Sequence, residues 1–155
     1  GMLVVGGNGV EYKKAIVATI DFAHDIAVLS IEADDNYINT QSASGLDINE
    51  EEIEVGEAVG YAGFPLGNQL LNQKHSPTYA EGVIGQEIIS VNGPKWIQIS
   101  GPVVGGYSGG PIVLKENGKV IGMVSNSPSK EAGDASIFKS VHGKHIKSTV
   151  DLIES

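Results

Sequence analysis

Residues 101–111 hold the side chain best suited to covalent chemistry in this 155-residue chain. Ser108 lies in this segment among five glycines, which are Gly101, Gly105, Gly106, Gly109 and Gly110. Glycine permits backbone conformations closed to other residues, so consecutive N–H groups can converge here on one point, as an oxyanion hole requires. A serine in such a loop attacks a carbonyl carbon once a base takes its proton. The segment therefore indicates acyl transfer, with Ser108 as the candidate nucleophile.

The spacing of Gly106, Ser108 and Gly110 fits G-x-S-x-G, the nucleophile elbow of α/β-hydrolases. That elbow must turn from a strand into a helix. Here Pro111 and the β-branched pair at 112–113 follow the serine, and an Asn-Gly turn signal comes next. The context after Ser108 is a strand and a hairpin, which excludes the elbow.

Three motifs instead resemble, in family order, those of trypsin-like (chymotrypsin-fold) serine proteases. Residues 24–29 resemble the strand that carries the triad aspartate, and residues 56–67 resemble the opening of the second barrel in the bacterial HtrA-like branch. Residues 106–111, followed by 122–125, resemble the serine loop and the strand beside it. The resemblance runs from Leu3 to about Ile153, nearly the whole chain.

The resemblance implies a role for each matching residue. Ser108 becomes the nucleophile, Asp25 the carboxylate that orients an imidazole, and the N–H groups of Gly106 and Ser108 the oxyanion hole. The implied edge strand for substrate backbone is Ser125, Asn126 and Ser127. The implied border of the specificity pocket is Pro102, Val103 and Val124. Because none of these is charged, we expect a preference for a small or medium apolar substrate side chain.

The chain departs from the family in two places. Tyr107 occupies the position before the serine where the family usually has Asp or Asn, so activation by a freed N-terminus is not expected. The larger departure is the triad histidine, which the family places several tens of residues before the aspartate. Only 24 residues precede Asp25, and none resembles that motif. We therefore expect the chain to begin at the family's fourth strand, residues 3–6.

No other histidine is an evident replacement. His24 is adjacent to Asp25, and neighbours on a strand point to opposite faces. His75 falls in the loop between the first two strands of the second barrel, from which it can approach a cleft rim. His142 and His145 are three apart on the predicted C-terminal helix; without a third ligand, they are interpreted as surface histidines and not as a metal site.

Hairpins and short strands account for most of the remaining pattern. The Asn-Gly pairs at 8–9, 92–93 and 117–118 each predict a type I′ turn between strands. The predicted strands are residues 3–5, 12–20, 25–31, 58–64, 79–85, 88–91, 96–99, 111–114 and 120–124.

The C-terminus alone predicts a helix, because Ile146, Val150 and Ile153 recur on one face. Ser140 is its predicted N-cap, although Gly143 weakens the first turn. Residues 33–54 are mostly polar and predict a long exposed connection with short pieces of structure, in which the glutamates at 50–52 and 54 form a solvated face.

Composition bounds the classes of function. The 10 Lys+Arg against 19 Asp+Glu give a net charge of −9, which argues against binding nucleic acid or an anionic membrane. There is no cysteine, and hence no disulfide, Cys-ligated zinc or thiol nucleophile. The 21 glycines are about twice the usual share of roughly 7%, which favours an all-β chain with many turns. No apolar run is long enough to span a membrane, and no leader segment is present. The compartment is not determined; bacterial cytoplasm and periplasm both fit.

The predicted fold is all-β, a chymotrypsin-like double barrel in which the first barrel is half present and the second complete, followed by a C-terminal helix. The predicted boundaries are residues 2–54 for the remnant and its connection, and residues 55–155 for the second barrel and helix. No metal or organic cofactor is implied. Half a barrel leaves apolar strand faces and edges open, so we expect either a homodimer through the N-terminal strands or poor order there.

Three hypotheses of function remain open. The chain is a fragment of a working serine endopeptidase that acts on a peptide or protein through an acyl-enzyme at Ser108, inactive by itself because the base is absent. Alternatively, it is a non-catalytic relative that binds peptides in the same cleft. In the third hypothesis, it is an enzyme completed by a histidine from another chain.

Overall fold

The computed structural model describes residues 2–5, 11–31, 45–65, 77–89, 93–125 and 137–154. Across these ranges the chain forms nine strands and one helix. They are β1 Met2–Val5, β2 Glu11–Asp21, β3 Ile26–Ile31, β4 Ala58–Gly63, β5 Thr78–Ile89, β6 Lys95–Ser100, β7 Pro111–Leu114, β8 Val120–Val124, β9 Ile137–His142 and α1 Gly143–Glu154. The helix in these ranges lacks the length and apolar character needed to cross a membrane.

The last six strands close into a barrel in the order β4-β5-β6-β9-β8-β7, with antiparallel neighbours throughout. Strand β6 shows why the barrel forms: Ile97 and Ile99 point inward and are fully buried, while Gln98 between them lies on the other face. The centre of the core holds the aromatic rings of Tyr61 and Phe138, whose centroids lie 5.1 Å apart edge to face. The predicted complete second barrel is confirmed.

The first three strands form a separate antiparallel sheet in the order β1-β2-β3. On β2, Ile16 and Val17 are 51% and 50% exposed. Consecutive strand residues point to opposite faces, so both faces of this sheet present apolar side chains to solvent. Phe22, in the turn after β2, is 89% exposed. The N-terminal half thus has the open apolar surface predicted for a partial barrel, and helix α1 packs against β2 and β3.

One of the three predicted Asn-Gly hairpins has a different turn. Strands β7 and β8 do pair, but residues 115–119 separate them, and only Gly118 of the Asn117-Gly118 pair has a positive φ, of 72°. A type I′ turn needs two positive-φ residues, so that prediction is wrong at this site. Strands β5 and β6 pair from Ile89 to Lys95, but Asn92 lies outside the described residues, so the turn type predicted there stays a prediction. Strands β1 and β2 also pair, while Asn8 and Gly9 lie outside the described residues.

Other element boundaries were also different from the predictions. The predicted run 79–85 and residues 88–89 of the predicted run 88–91 belong to one strand, β5, which continues through a bulge between Ile84 and Gln86. Strand β9 was not predicted, and it contains Ser140, which is fully buried. Ser140 is therefore not the helix cap. That place belongs to His142, whose Nδ1 accepts the Lys144 N–H at 3.1 Å.

The connection before the barrel contains a short piece of structure. Ile48 makes a parallel bridge to Val120, and the Asn49 N–H donates to the Val120 carbonyl at 2.8 Å. Asn49 is buried, although the connection was expected to be exposed. The predicted solvated glutamate face is present, since Glu50, Glu51, Glu52 and Glu54 are all exposed.

Candidate active site

The loop that carries Ser108 joins β6 to β7 and is anchored on both sides of the serine. Before it, the Gly106 carbonyl accepts the Phe64 N–H at 2.9 Å. After it, the Gly109 N–H donates to the Val124 carbonyl at 2.7 Å, and the Val124 N–H donates to the Gly110 carbonyl at 2.9 Å. Ser108 itself is exposed. These hydrogen bonds hold the loop in place while the Ser108 side chain stays accessible to solvent.

Gly106 is required here by its conformation and its surroundings. Its φ is 103°, in the region that side chains rarely adopt, and a Cβ at this position would collide with the Phe64 carbonyl oxygen. The backbone at Gly106 therefore approaches residues 64–65 more closely than any other residue type would allow. This is the kind of constrained glycine turn from which an oxyanion hole is built.

Asp25 is brought to the same end of the barrel by a contact that spans 100 residues. The Ser125 hydroxyl donates to Oδ2 of Asp25 at 2.6 Å. Ser125 directly follows Val124, whose carbonyl and N–H are hydrogen-bonded to Gly109 and Gly110 of the Ser108 loop. The predicted carboxylate, the predicted strand residue Ser125 and the serine loop therefore lie together. Asn126 and Ser127 lie outside the described residues.

Asp25 is not on a strand, contrary to the prediction that placed residues 25–31 in one. It lies in the turn before β3 with a positive φ of 56°, so the alternation of strand faces does not govern where His24 points. Among the described residues, Ser125 is the only hydrogen-bond partner of the Asp25 carboxylate. Within the described ranges, no donor is bonded to its other oxygen, Oδ1.

The three histidines in the described ranges are bonded to groups other than Ser108 and Asp25. His24 Nδ1 lies 2.6 Å from Oδ2 of Asp21. His142 Nε2 lies 3.0 Å from Oε1 of Glu87, and His145 Nε2 accepts the Lys95 N–H at 2.9 Å. His142 ends β9 and its side chain is 5% exposed, so the interpretation of it as a surface residue of the helix is wrong. His75 lies outside the described residues.

The protonation of these histidines is governed by burial and charge. Burial lowers the pKa of His142, although Glu87 opposes the effect, and burial also lowers the pKa of His145. The hydrogen bond from His24 lowers the pKa of Asp21. Within the described ranges, no group of three or more His, Asp or Glu side chains is arranged to hold a metal ion.

The side chains predicted to border a specificity pocket are mostly part of the core. Val103 is 4% exposed and Val124 1% exposed, and both pack in the main hydrophobic cluster of the barrel, whereas Pro102 is exposed. The Tyr61 hydroxyl donates to the Pro102 carbonyl, and burial raises the pKa of Tyr61 to about 12. Tyr107 packs edge to face on Tyr61, with centroids 5.4 Å apart. The residue before the serine is thus an apolar anchor.

Sequence reasoning did not find the cavity beside Ser108. It has a volume of about 440 Å³ and is lined mainly by glycine backbone and apolar side chains. Its lining residues are Ala62, Gly63, Phe64, Pro77, Gly106, Ser108, Gly109, Gly110 and Pro111. The only signal in the sequence was the run of glycines and prolines around the serine.

The family described as the trypsin-like peptidase domain matches residues 2–123, well over half of the chain. The chain belongs to the trypsin-like peptidase family. Two curated relatives of this trypsin-like peptidase are much longer. The uncharacterized protein y4bJ of Sinorhizobium fredii is 30% identical over an alignment of 131 residues that covers 80% of this chain and 19% of that protein. The peroxisomal leader peptide-processing protease of Homo sapiens is 29% identical over 105 residues, 67% of this chain and 17% of the relative.

Solved structures share the fold of this trypsin-like peptidase. The HtrA-type protease AlgW with a decapeptide superposes with a TM-score of 0.75 at 22% identity, over 97% of this chain and 43% of AlgW. The active form of the Rv3671c protease from M. tuberculosis gives 0.71 at 21% identity, over 94% of this chain and 60% of that one. Deg5 gives a TM-score of 0.62 at 22% identity, over 96% of this chain and 64% of the Deg5 chain. The predicted resemblance to HtrA-like serine proteases is confirmed.

Proposed function

We propose that this trypsin-like peptidase hydrolyses peptide bonds through an acyl-enzyme at Ser108, with its general base supplied from outside the described residues. The observation that carries the proposal is the 2.6 Å hydrogen bond from Ser125 to Asp25. The carboxylate is bonded at Oδ2 and has no partner at Oδ1 among the described residues, and the strand residue next to Ser125 is bonded to the loop of the exposed serine. An imidazole that donates to such a carboxylate is held in one orientation.

The chemistry follows from the groups in the loop. The Ser108 Oγ attacks the substrate carbonyl carbon while a base takes its proton, and the carbonyl oxygen becomes an oxyanion. The N–H groups of Gly106 and Ser108 donate to that oxyanion. The amine leaves with a proton from the base. Water then attacks the acyl carbon while the base takes its proton, and the base returns that proton to the Ser108 Oγ as the carboxylic acid product leaves. Asp25 holds the imidazole in the correct tautomer.

The base is assigned outside the described residues because the histidines within them are occupied. His142 and His145 accept backbone N–H groups, and His24 is bonded to Asp21. Moving any of them to Ser108 would leave a buried or half-buried donor or acceptor without a partner. Without a base, Ser108 is a weak nucleophile, and only the slow reaction supported by the oxyanion hole remains.

Substrate recognition is proposed to be apolar. The cavity beside Ser108 is lined by the apolar side chains of Phe64, Pro77 and Pro111, whereas Val103 and Val124 are buried in the core. An apolar side chain of a peptide is the group such a lining desolvates at least cost.

The test is covalent labelling of the 155-residue chain by a fluorophosphonate with imidazole added as the base, and the modified residue is mapped by mass spectrometry. We expect imidazole-dependent label on Ser108, its loss in Ser108→Ala and its retention in Ser148→Ala, because Ser148 lies exposed on helix α1 and its hydroxyl donates to the Lys144 carbonyl. Asp25→Asn should weaken this imidazole-dependent label, because it removes the carboxylate that orients the base.

Two outcomes would overturn the proposal. One is label spread evenly over exposed serines. The other is an unlabelled Ser108 in a chain that still binds extended peptides, which would identify a peptide-binding protein that uses the same cleft without cleavage.

A further inference from the structure

Three histidines from separate elements meet where the N-terminal sheet, the barrel and helix α1 join. The rings of His24 and His145 are stacked, with centroids 3.8 Å apart and planes at 28°. The ring of His142 lies edge-on to His145 at 6.4 Å. We call these residues the histidine joint. It is the contact through which α1 reaches the turn that carries Asp25.

Hydrogen bonds determine the protonation of the joint. The Nε2 of His145 accepts the Lys95 N–H at 2.9 Å, so this nitrogen carries no proton. The Nδ1 of His142 accepts the Lys144 N–H at 3.1 Å, which makes its Nε2 the donor to Glu87. Both bonds require neutral rings. Protonation of His145 would replace an acceptor with a second donor facing Lys95 N–H, and would place a cation against His24.

The charged and titratable groups around His145 come from several elements. They are Asp21 at the end of β2, His24 in the turn, Lys95 at the start of β6 and His142 at the end of β9. Burial lowers the pKa of His145, His24, His142 and Lys95 lower it further, and Asp21 acts in the opposite direction. Around His142, Glu87 raises the pKa, while Lys144 and Lys95 lower it. The neutral ring is thus favoured near pH 7.

The turn is held on two sides. On one side, His24 donates its backbone N–H to Oδ1 of Asp21 at 3.2 Å and stacks on His145. On the other side, Asp25 accepts from Ser125. Asp25 has a positive φ, a conformation that persists only where the surroundings hold it.

We propose that His145 is a positioning residue for Asp25: by stacking on His24 it keeps the turn at residues 22–25 in place, and its protonation releases that turn. The inference rests on the role proposed for Asp25. It gives the C-terminal helix, remote from Ser108 in sequence, control of the carboxylate that orients the base, and it makes that control sensitive to pH.

The experiment uses the 155-residue chain and two variants, His145→Phe and His145→Ala. Phe keeps a ring to stack on His24 but cannot be protonated, whereas Ala removes the ring. Amide exchange of residues 22–26, expressed as protection factors so that intrinsic pH dependence is removed, is measured by NMR between pH 7.5 and 5. The Asp25 carboxyl carbon resonance is followed in parallel, with Ser125→Ala as the reference for a carboxylate that has lost its hydroxyl partner.

We expect protection in the wild-type turn to fall about fivefold as His145 titrates, the order expected for the loss of one hydrogen bond. His145→Phe should retain protection down to pH 5. His145→Ala should lose it at every pH, with its Asp25 resonance moving toward that of Ser125→Ala. Protection of the Ile97 and Ile99 amides reports whether the barrel is folded. If His145→Ala does not fold, the inference is tested by comparing how protection of the turn changes with pH in wild type and in His145→Phe.

The inference would be overturned if amide protection of residues 22–26 in wild type did not change between pH 7.5 and 5. It would also be overturned if protection changed with pH equally in wild type and His145→Phe. A wild-type Asp25 resonance in folded His145→Ala would do the same. These readouts require no turnover, so a failure of Ser108 to react with a fluorophosphonate leaves them intact and is distinguished from a failure of the joint.

Discussion

The hydroxyl of Ser125 donates to Oδ2 of Asp25 at 2.6 Å, linking the turn before β3 to the end of β8. Because Val124 is bonded to Gly109 and Gly110, this one contact ties the carboxylate to the serine loop. Ser125 was predicted to bind substrate backbone, and its side chain has this second role. The arrangement holds the Asp25 carboxylate close to the strand that anchors the loop of the exposed Ser108.

Gly106 and Gly105 form a matched pair for testing the serine loop. Gly106→Ala must place a Cβ against the Phe64 carbonyl at a positive φ, so we expect a loss of about 2 kcal/mol in the free energy of unfolding. Fluorophosphonate labelling of Ser108 should slow by about 10²-fold or more, since the oxyanion hole is disturbed. Gly105 has open space around it, and Gly105→Ala should change the free energy of unfolding by less than about 0.5 kcal/mol. Equal behaviour of the two variants would contradict the account of this loop.

Tyr61→Phe tests the anchor beneath the loop. It removes the hydroxyl that bonds the Pro102 carbonyl while keeping the ring that packs on Tyr107 and Phe138. We expect urea unfolding to show a loss of about 1 kcal/mol, and labelling of Ser108 to slow as the loop loses its tether. Tyr79→Phe is the control, because Tyr79 is exposed and bonds only Glu81. A labelling rate in Tyr61→Phe equal to that of Tyr79→Phe would show that the tether does not serve the site.

Acid should destabilise the protein through His142. Its pKa in the folded chain lies below the ordinary value of 6.5 because it is buried. The unfolded chain therefore binds more protons, and the stability contributed by the neutral ring is complete above pH 6.5 and lost as pH falls below it. Urea titrations should show the free energy of unfolding falling from pH 7.5 to 5.

His142→Asn is the companion measurement for that pH dependence. Asn keeps a side-chain oxygen that can accept the Lys144 N–H but does not titrate, so the slope between pH 7.5 and 5 should be shallower than in wild type. His145, whose pKa is also lowered, accounts for the slope that remains. An identical slope in the variant would remove His142 from the explanation.

The exposed faces of the N-terminal sheet are expected to associate. Ile16→Lys should raise the dissociation constant of a homodimer by about tenfold or more in sedimentation equilibrium, because a charge is costly at a buried apolar contact. Val83→Lys is the control, since Val83 is 40% exposed on strand β5 of the barrel, where it pairs with β4 and β6 and not with that sheet. A wild-type chain that remains monomeric at all concentrations would refute the homodimer.

Much of the barrel was predictable because its strands are locally distinct. Strands β7 and β8 have the bounds that their β-branched runs predicted, 111–114 and 120–124. Strand β9 was missed because two of its buried positions are Ser140 and His142, so no alternation of apolar and polar residues is visible. The turn type predicted at 117–118 failed because an Asn-Gly pair does not determine the length of the loop around it.

The sequence motifs identified candidate site residues, but not the contacts between residues that lie far apart in the chain. Gly106 and Ser108 lie within one loop, and their motif identified them. The Asp25–Ser125 contact spans 100 residues, and the histidine joint draws His24, His142 and His145 from three elements. Such contacts depend on how the sheet, barrel and helix pack, which residue spacing does not specify.

The most direct test of the central claim is to supply the missing base. Acylation of Ser108 by a chromogenic peptide ester is measured at pH 7.5 against imidazole concentration, in wild type, Ser108→Ala and Asp25→Asn. The account predicts a rate near background without imidazole and a rise with imidazole that is absent in Ser108→Ala and weaker in Asp25→Asn. A wild-type acylation rate that does not change with imidazole concentration would contradict the account. So would a wild-type rate that, before any imidazole is added, exceeds the Ser108→Ala rate by about 10³-fold or more, as a complete triad would give.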